Sequence, residues 1–261
     1  MQKQRKFYVG ILLGILLIAL CACQKEAVKP STVLGKTQAQ GCRTYGWDSF
    51  EEAYEEASAA ALVEIGDWLG EADGGTFYKA KVLECYKGDL PDNFIVVMGG
   101  DSSKTVVGEP LMSAGERYLM FLMTVKDRAQ AESLVEPDGS PYNTDPERTY
   151  ELSTGYICQS KEMWHCMNYF FQAVEGKDGQ NYVMDSRDWG CTMNLTDARK
   201  DGFTSRDYAA KVQEITAREG AEIRYNQMDK PIYAVSEIIR ELQGQNREEI
   251  RKDAIKNGRR L

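Results

Sequence analysis

Residues 76–86 read TFYKAKVLECY, and their pattern is typical of a β-strand. Tyr78, Ala80 and Val82 alternate with two lysines, which is the two-residue period of a strand that buries one face. Residues 62–69, LVEIGDWL, form another stretch of strand length just before it, in which Leu62, Val63, Ile65 and Trp68 are apolar. The two runs predict successive strands of a β domain.

Further elements are predicted from the same periodicities. Additional strands are expected at residues 94–98, 117–125, 150–159, 167–174 and 181–185. Helices are expected at residues 49–60, 205–218 and 231–243, and a charged helical tail at 246–261. The first helix is opened by a capping box, in which the Ser49 side chain accepts a hydrogen bond from the Glu52 amide. Residues 126–148 contain three prolines and a glycine, so we expect a long surface excursion without regular structure there.

Three short motifs in the first half carry a family resemblance. They are Leu62–Gly66 (LVEIG), Val82–Asp89 (VLECYKGD) and Gly115–Leu122 (GERYLMFL). Together they resemble a pattern in bacterial surface proteins whose domain is similar to the tissue inhibitors of metalloproteinases and to netrin-like domains. The resemblance covers residues 48–125 and, more loosely, extends to 216. It implies an α+β fold: an OB-like antiparallel β-barrel with an N-terminal helix and C-terminal helices.

The N-terminus predicts export. A basic run at Lys3–Lys6 is followed by an apolar stretch without charge at Phe7–Leu20, the pattern of a secretory signal. As a helix this stretch would span about 21 Å, which is shorter than the ~30 Å hydrocarbon core of a bilayer. A signal peptide is therefore favoured over a permanent transmembrane helix.

The end of that stretch resembles the bacterial lipobox. Leu20 stands three places before Cys23, and Ala22 stands directly before it. The alternative site, Cys21, would put the bulky Leu20 beside the cleaved bond, so Cys23 is the predicted lipidation site; an unlipidated or secreted form is the remaining alternative. Two acyl chains anchor a protein stably, which predicts attachment to the extracytoplasmic face of the cell membrane.

Composition then divides the chain into four parts. They are a signal peptide at 1–22, the lipidated cysteine with a flexible tether at 23–40, the OB-like barrel domain with its flanking helix at 41–216, and a C-terminal helical tail at 217–261. Loss of the signal peptide removes three basic residues and no acid, so the net charge falls from -8 to -11. This acidity argues against nucleic acid as a partner, because phosphate binding needs a basic surface.

No motif for catalysis or cofactor binding is present in the sequence. His165, the only histidine, lies in Trp164-His165-Cys166, but the chain has no CxxC, HExxH, GxSxG or SxxK motif. For His165 a core or hairpin-edge position is favoured over metal binding or catalysis. We therefore predict no catalytic, metal or cofactor-binding residue and no cofactor.

The cysteine count favours at most two disulfides. Beyond Cys21 and Cys23 the chain has five cysteines, an odd number, at positions 42, 85, 158, 166 and 191. Cys158 and Cys166 flank a seven-residue connection between predicted strands, and we predict a possible disulfide between them across a hairpin. Cys191 is the main competing partner, and buried thiols are the alternative.

These observations favour a non-enzymatic role. We expect a membrane-anchored lipoprotein that acts as a cell-envelope binding or interaction module, with an unknown protein or envelope component as partner. The resemblance implies a protease inhibitor as an alternative, and an enzyme with an unrecognised carboxylate-based site is another. A cleft formed by Trp47, Trp68, Trp164 and Trp189 would favour binding, whereas convergent carboxylates near His165 would favour catalysis.

Overall fold

The computed structural model describes residues 37–39, 47–99, 104–106, 112–166, 171–216 and 229–244. Its elements, in chain order, are β1 (Thr37–Ala39), α1 (Phe50–Glu56), β2 (Ala59–Ala72), β3 (Gly75–Lys87), β4 (Asn93–Gly99), β5 (Lys104–Val106), β6 (Arg117–Thr124), α2 (Val125–Ala131), β7 (Thr149–Glu151), β8 (Ile157–Gln159), β9 (Met163–Cys166), β10 (Phe171–Glu175), β11 (Asn181–Met184), α3 (Ser205–Thr216), β12 (Ile232–Ala234) and α4 (235–244). The predicted signal peptide, Cys23, Cys42 and residues 246–261 lie outside the described residues.

Five strands close into a barrel. β2 pairs with β3 on one side and with β6 on the other, and β3 pairs with β4. β9 closes the barrel by pairing with both β4 and β6. The OB-like barrel predicted from the sequence is confirmed, with the difference that its pairing is mixed: β4 and β9 run parallel, whereas the other barrel pairs are antiparallel.

A three-stranded extension branches from the barrel. β6 pairs with β9 near its end and with β10 near its beginning, and β11 and β12 continue the sheet outward from β10. β10 and β11 lie within the strands predicted at 167–174 and 181–185, and they pair in antiparallel register as a hairpin. β1, which lies within the predicted tether, forms a separate parallel pair with β5.

Side chains on β2 are buried on both faces of the barrel wall. Ala59, Ala61, Val63 and Ile65 point into the barrel interior, whereas Ala60 and Leu62 contribute to the core outside it. Burial on both faces explains why the strand begins as a continuous apolar run rather than an alternating one.

Helices and a hairpin cover the outer faces of the barrel and its extension. α1 and α4 enclose the largest cluster, whose members include Trp47, Phe50, Phe121 and Ile238. The β7–β8 hairpin and the start of α2 cover a second cluster on β3, β4 and β9, and α3 covers a third on β10 and β11.

The first helix begins as predicted and ends early. Ser49 accepts a hydrogen bond from the Glu52 amide at 3.1 Å, as the capping box implies. The helix was expected to reach residue 60, but it ends at Glu56 because the chain from Ala59 onward pairs as a strand with β6. The Lys87 ammonium donates to the carbonyls of Tyr54 and Glu55, and a cation at a helix C-terminus is favourable.

Two segments of the second half differ from the prediction. The expected excursion at 126–148 contains a helix, α2, because its three prolines all lie after Ala131 and leave the first turns unobstructed. The single strand expected at 150–159 is instead the hairpin of β7 and β8.

Part of the predicted C-terminal helical segment belongs to the main core. β12 pairs with β11, and α4 follows it four residues after the predicted helix start at Pro231. Val235, Ile238 and Leu242 on α4 are buried in the largest cluster. None of the helices in the described part of the chain is long and apolar enough to cross a membrane.

Candidate functional site

A cleft of about 120 Å3 lies at one end of the barrel, beside the β2–β3 turn. Its lining combines backbone from that turn and from the end of β4 with side chains of α2, the β7 region and β9. The residues are Ala72, Asp73, Gly74, Gly75, Phe77, Val97, Met98, Gly99, Arg128, Tyr142, Tyr150, Met163, His165 and Cys166.

The β2–β3 turn forms one rim of the cleft. Asp73 and Gly74 are its two central residues and have φ values of 50° and 71°. Two successive positive φ values are typical of the type I′ turn, whose twist matches that of the flanking strands and for which Asp-Gly is a favoured pair. The turn therefore holds a carboxylate at the rim of the cleft.

α2 places a guanidinium in the cleft. Thr124 caps the helix by accepting from the Asp127 amide at 3.1 Å, and Asp127 accepts from the Ser58 hydroxyl at 2.6 Å. The helix is thereby tied to the start of β2. One turn further on, Arg128 lines the cleft.

Arg128 contacts His165 directly. Its Nη1 lies 2.8 Å from Nδ1 of His165, and its Nη2 lies 3.1 Å from the Glu132 carboxylate. A guanidinium has only donors, so Nδ1 of His165 must be the acceptor and its proton must lie on Nε2. The contact therefore requires a neutral imidazole.

Two tyrosines form the opposite wall. The Arg148 guanidinium lies over both rings, 5.6 Å from the centre of the Tyr142 ring and 5.0 Å from that of Tyr150. Burial raises the pKa of Tyr142, the neighbouring Tyr150 adds to the rise, and Arg148 and Arg128 oppose it. The Tyr142 phenol therefore stays protonated at neutral pH, with its hydroxyl hydrogen-bonded to Tyr150.

The Trp164-His165-Cys166 motif is divided between two faces of the barrel wall. Adjacent side chains of a strand point to opposite faces. Trp164 and Cys166 pack with the barrel interior, although Cys166 also borders the cleft, whereas Met163 and His165 face outward to it. Because the three side chains do not converge, the motif alone makes no metal or nucleophile site. No group of three or more His, Cys, Asp or Glu residues is placed to hold a metal within the described ranges.

Cys158 and Cys166 lie on opposite sides of the same wall. Cys158 belongs to the cluster outside the barrel, and Cys166 belongs to the interior cluster. β8 pairs with β7, and β9 pairs with β4 and β6, so the hairpin that motivated a disulfide between them is not formed. In the part of the chain that is described, neither cysteine is in a disulfide.

The four tryptophans do not gather in a cleft. Trp47 and Trp189 are buried in the largest cluster, and Trp68 and Trp164 pack against the barrel interior. The aromatic residues of the cleft are Phe77, Tyr142 and Tyr150, which the sequence reasoning did not single out. Tyr142 lies between two prolines in the segment 126–148, which was expected to lack regular structure, and no sequence motif marks it as a cleft residue.

No family model, no curated protein and no solved structure matches this chain.

Proposed function

We propose that this chain is an extracytoplasmic lipoprotein, anchored through Cys23, whose barrel is a binding module for a component of the cell envelope. The anchor is supported by the basic and apolar N-terminus and by the spacing of Leu20 and Ala22 before Cys23. The net charge of -11 after removal of the signal peptide disfavours nucleic acid as the ligand.

The position of the cleft carries the proposal of a binding role. OB folds bind their ligands between the loop that joins the first two barrel strands and the loop that joins the last two. Here the first of these is the Asp73-Gly74 turn, and the second is the connection from β6 to β9, which supplies Arg128, Tyr142 and Tyr150. Both contribute to one cleft. Because a fold does not fix a function, this position supports binding and leaves the ligand to be found by experiment.

The anchor is tested by metabolic labelling with a palmitate analogue. The wild-type chain and the variant Cys21→Ser should both be labelled, whereas Cys23→Ser should not. Label retained in Cys23→Ser and lost in Cys21→Ser would move the lipid to Cys21. The absence of label from the wild type would reject the lipoprotein proposal.

The binding role is tested by co-sedimentation of the full chain, in detergent micelles, with purified and detergent-washed cell-wall material. We expect the wild type to sediment and the cleft variant Tyr142→Ala to remain in solution. Tyr156→Ala, which removes an exposed tyrosine outside the cleft, is the matched control and should behave as wild type. Equal sedimentation of both variants would place the binding surface elsewhere.

A further inference from the structure

We propose that the cleft recognises a single carboxylate group on a larger partner, with the Arg128 guanidinium as its principal donor. This inference rests on the proposed binding function and specifies the chemistry of its ligand. It follows from the donors that the cleft presents, from the way Arg128 is held and from the size of the space.

Arg128 has N–H groups that its contacts with Glu132 and His165 do not use. A guanidinium has five N–H groups in a planar fork. Nε and Nη2 contact the same Glu132 oxygen, at 3.2 Å and 3.1 Å, and Nη1 contacts His165 at 2.8 Å. These contacts leave one N–H on each terminal nitrogen without a contact among the described residues. Where these two N–H groups lie side by side, they match the geometry of a carboxylate.

The Arg128 side chain is held in one orientation by two contacts. Glu132 fixes one edge of the guanidinium from the C-cap position after α2, and His165 fixes another from β9. The Glu132 side chain is only 12% exposed, so its contact is shielded from water. A donor held in place before the ligand arrives loses little conformational entropy on binding.

Other polar groups lie around the same cleft. The Tyr142 hydroxyl is hydrogen-bonded to Tyr150, and the Arg148 guanidinium lies close to both tyrosine rings. The carboxylates of Glu132 and Glu136 balance the two arginines by ion pairing, and Asp73 adds a further carboxylate at the rim. The cleft therefore offers directed hydrogen bonds rather than a large positive field, and we expect selectivity for carboxylate geometry over anions in general.

The volume of the cleft limits the size of the group that it can bind. The cleft has a volume of about 120 Å3. That is enough for a carboxylate and the carbons next to it, and it is below the range of about 300–1,000 Å3 for whole drug-sized ligands. The carboxylate must then be the end of a partner that continues outside, such as a chain terminus or an acidic side chain.

The experiment measures fluorescence anisotropy of labelled hexapeptides with the full chain in detergent micelles. One peptide has a free C-terminal carboxylate, and an otherwise identical peptide has a C-terminal amide. A third has the amide and one internal glutamate.

We expect the amide peptide to bind at least tenfold more weakly than a carboxylate peptide. The first and third peptides separate a chain terminus from an acidic side chain, and competition by acetate but not acetamide shows that the carboxylate alone is recognised.

Variants then assign the preference to the cleft. Arg128→Gln should remove the tenfold difference between acid and amide. Arg117→Gln is the matched control: the Arg117 side chain is 30% exposed, against 32% for Arg128, and it also pairs with glutamate, but it lies outside the cleft. If Arg128→Gln does not fold, Arg128→Lys keeps the positive charge but loses the planar fork, and it should weaken the acid peptide severalfold without affecting the amide.

Failure of this inference and failure of the proposed function give different results. Equal binding of acid and amide, or a preference that survives Arg128→Gln, would overturn the carboxylate site even if the chain sediments with cell-wall material. A carboxylate preference that depends on Arg128, without any sedimentation, would support the site and reject the cell-wall material as its ligand.

Discussion

At the scale of single residues, one buried carboxylate organises the connection from β11 to the core. Asp185 is fully buried and accepts hydrogen bonds from the backbone amides of Arg187, Trp189 and Gly190, at 3.3, 3.0 and 2.8 Å. The turn that it holds delivers Trp189 into the largest cluster, with its ring centre 5.4 Å from that of Phe50. The charge of Asp185 is thus compensated by amide dipoles.

Replacing Asp185 with alanine should destabilise the fold by about 2–4 kcal/mol, since it leaves buried amides without an acceptor. Asp185→Asn keeps one acceptor oxygen and should cost less. Chemical unfolding in urea measures both. Asp138 is the control, because it also accepts from a backbone amide two residues on but is exposed, and Asp138→Ala should leave the unfolding midpoint unchanged. A loss for Asp138→Ala as large as that for Asp185→Ala would contradict this role for burial.

The cysteines give a second test at the residue scale. Burial raises the pKa of Cys158 to about 11, and Glu162 adds to the rise. Only the thiolate reacts with alkylating reagents, so at pH 7 roughly one Cys158 side chain in ten thousand is reactive. The labelling rate should increase about tenfold per pH unit as the pH rises towards 11. The exposed Cys85 and Cys191 should react far faster.

Isotope-coded iodoacetamide and mass spectrometry of tryptic peptides measure this order in the folded chain, and repetition in denaturant supplies the control for intrinsic reactivity. Mapping without reductant tests the disulfide predicted from the sequence. A peptide pair joined through Cys158 and Cys166 would reject the strand assignment that puts them on opposite sides of the barrel wall.

At the scale of elements, local patterns predicted the structure where the decisive contacts are local. The capping box at Ser49 and the alternation in β3 identified α1 and β3 because each signal lies within its own element. β9 was missed because it has only four residues and is a strand by virtue of two distant neighbours, β4 and β6. α2 was missed because its seven residues were averaged with the prolines that follow them.

Gly88 directly follows the last residue of β3, and two features of the structure require a glycine at this position. Its φ is 78°, and a Cβ at this position would lie 2.3 Å from the carbonyl oxygen of Ser58. Gly88→Ala therefore combines backbone strain with a clash and should destabilise the fold by more than about 1 kcal/mol in urea unfolding. Gly139→Ala isolates the strain, because Gly139 has a φ of 81° and nothing lies near its would-be Cβ. If the two variants lose the same stability, the close approach to Ser58 is absent.

At the scale of the whole molecule, the barrel was predictable and the cleft was not. The strand runs are regular enough to suggest a barrel, and the resemblance suggested its OB-like form. The cleft is assembled from the Asp73-Gly74 turn, Arg128, Tyr142 and His165, which are spread over about ninety residues of sequence and share no local motif. Only closure of the barrel by β9 brings His165 beside Arg128.

The same long-range assembly applies to the C-terminal segment and gives a prediction for the whole fold. β12 adds the last strand to the extended sheet, and Ile238 of α4 is fully buried against the cluster that holds Trp47 and Phe50. A chain that ends at residue 229 loses this strand and helix and uncovers that cluster. We expect it to melt at a markedly lower temperature in circular dichroism and to aggregate.

Ile238→Ala tests the same packing without truncation, and it should cost about 2–5 kcal/mol, as removal of a large buried aliphatic side chain does. Arg240→Ala, on the exposed side of the same helix, should change stability little. If the chain that ends at 229 melts as the full chain does, residues 217–261 are a separable tail, as the sequence alone suggested. In that case the pairing of β12 with β11 contributes nothing to the stability of the barrel, because the cluster beneath α1 would already be closed without it.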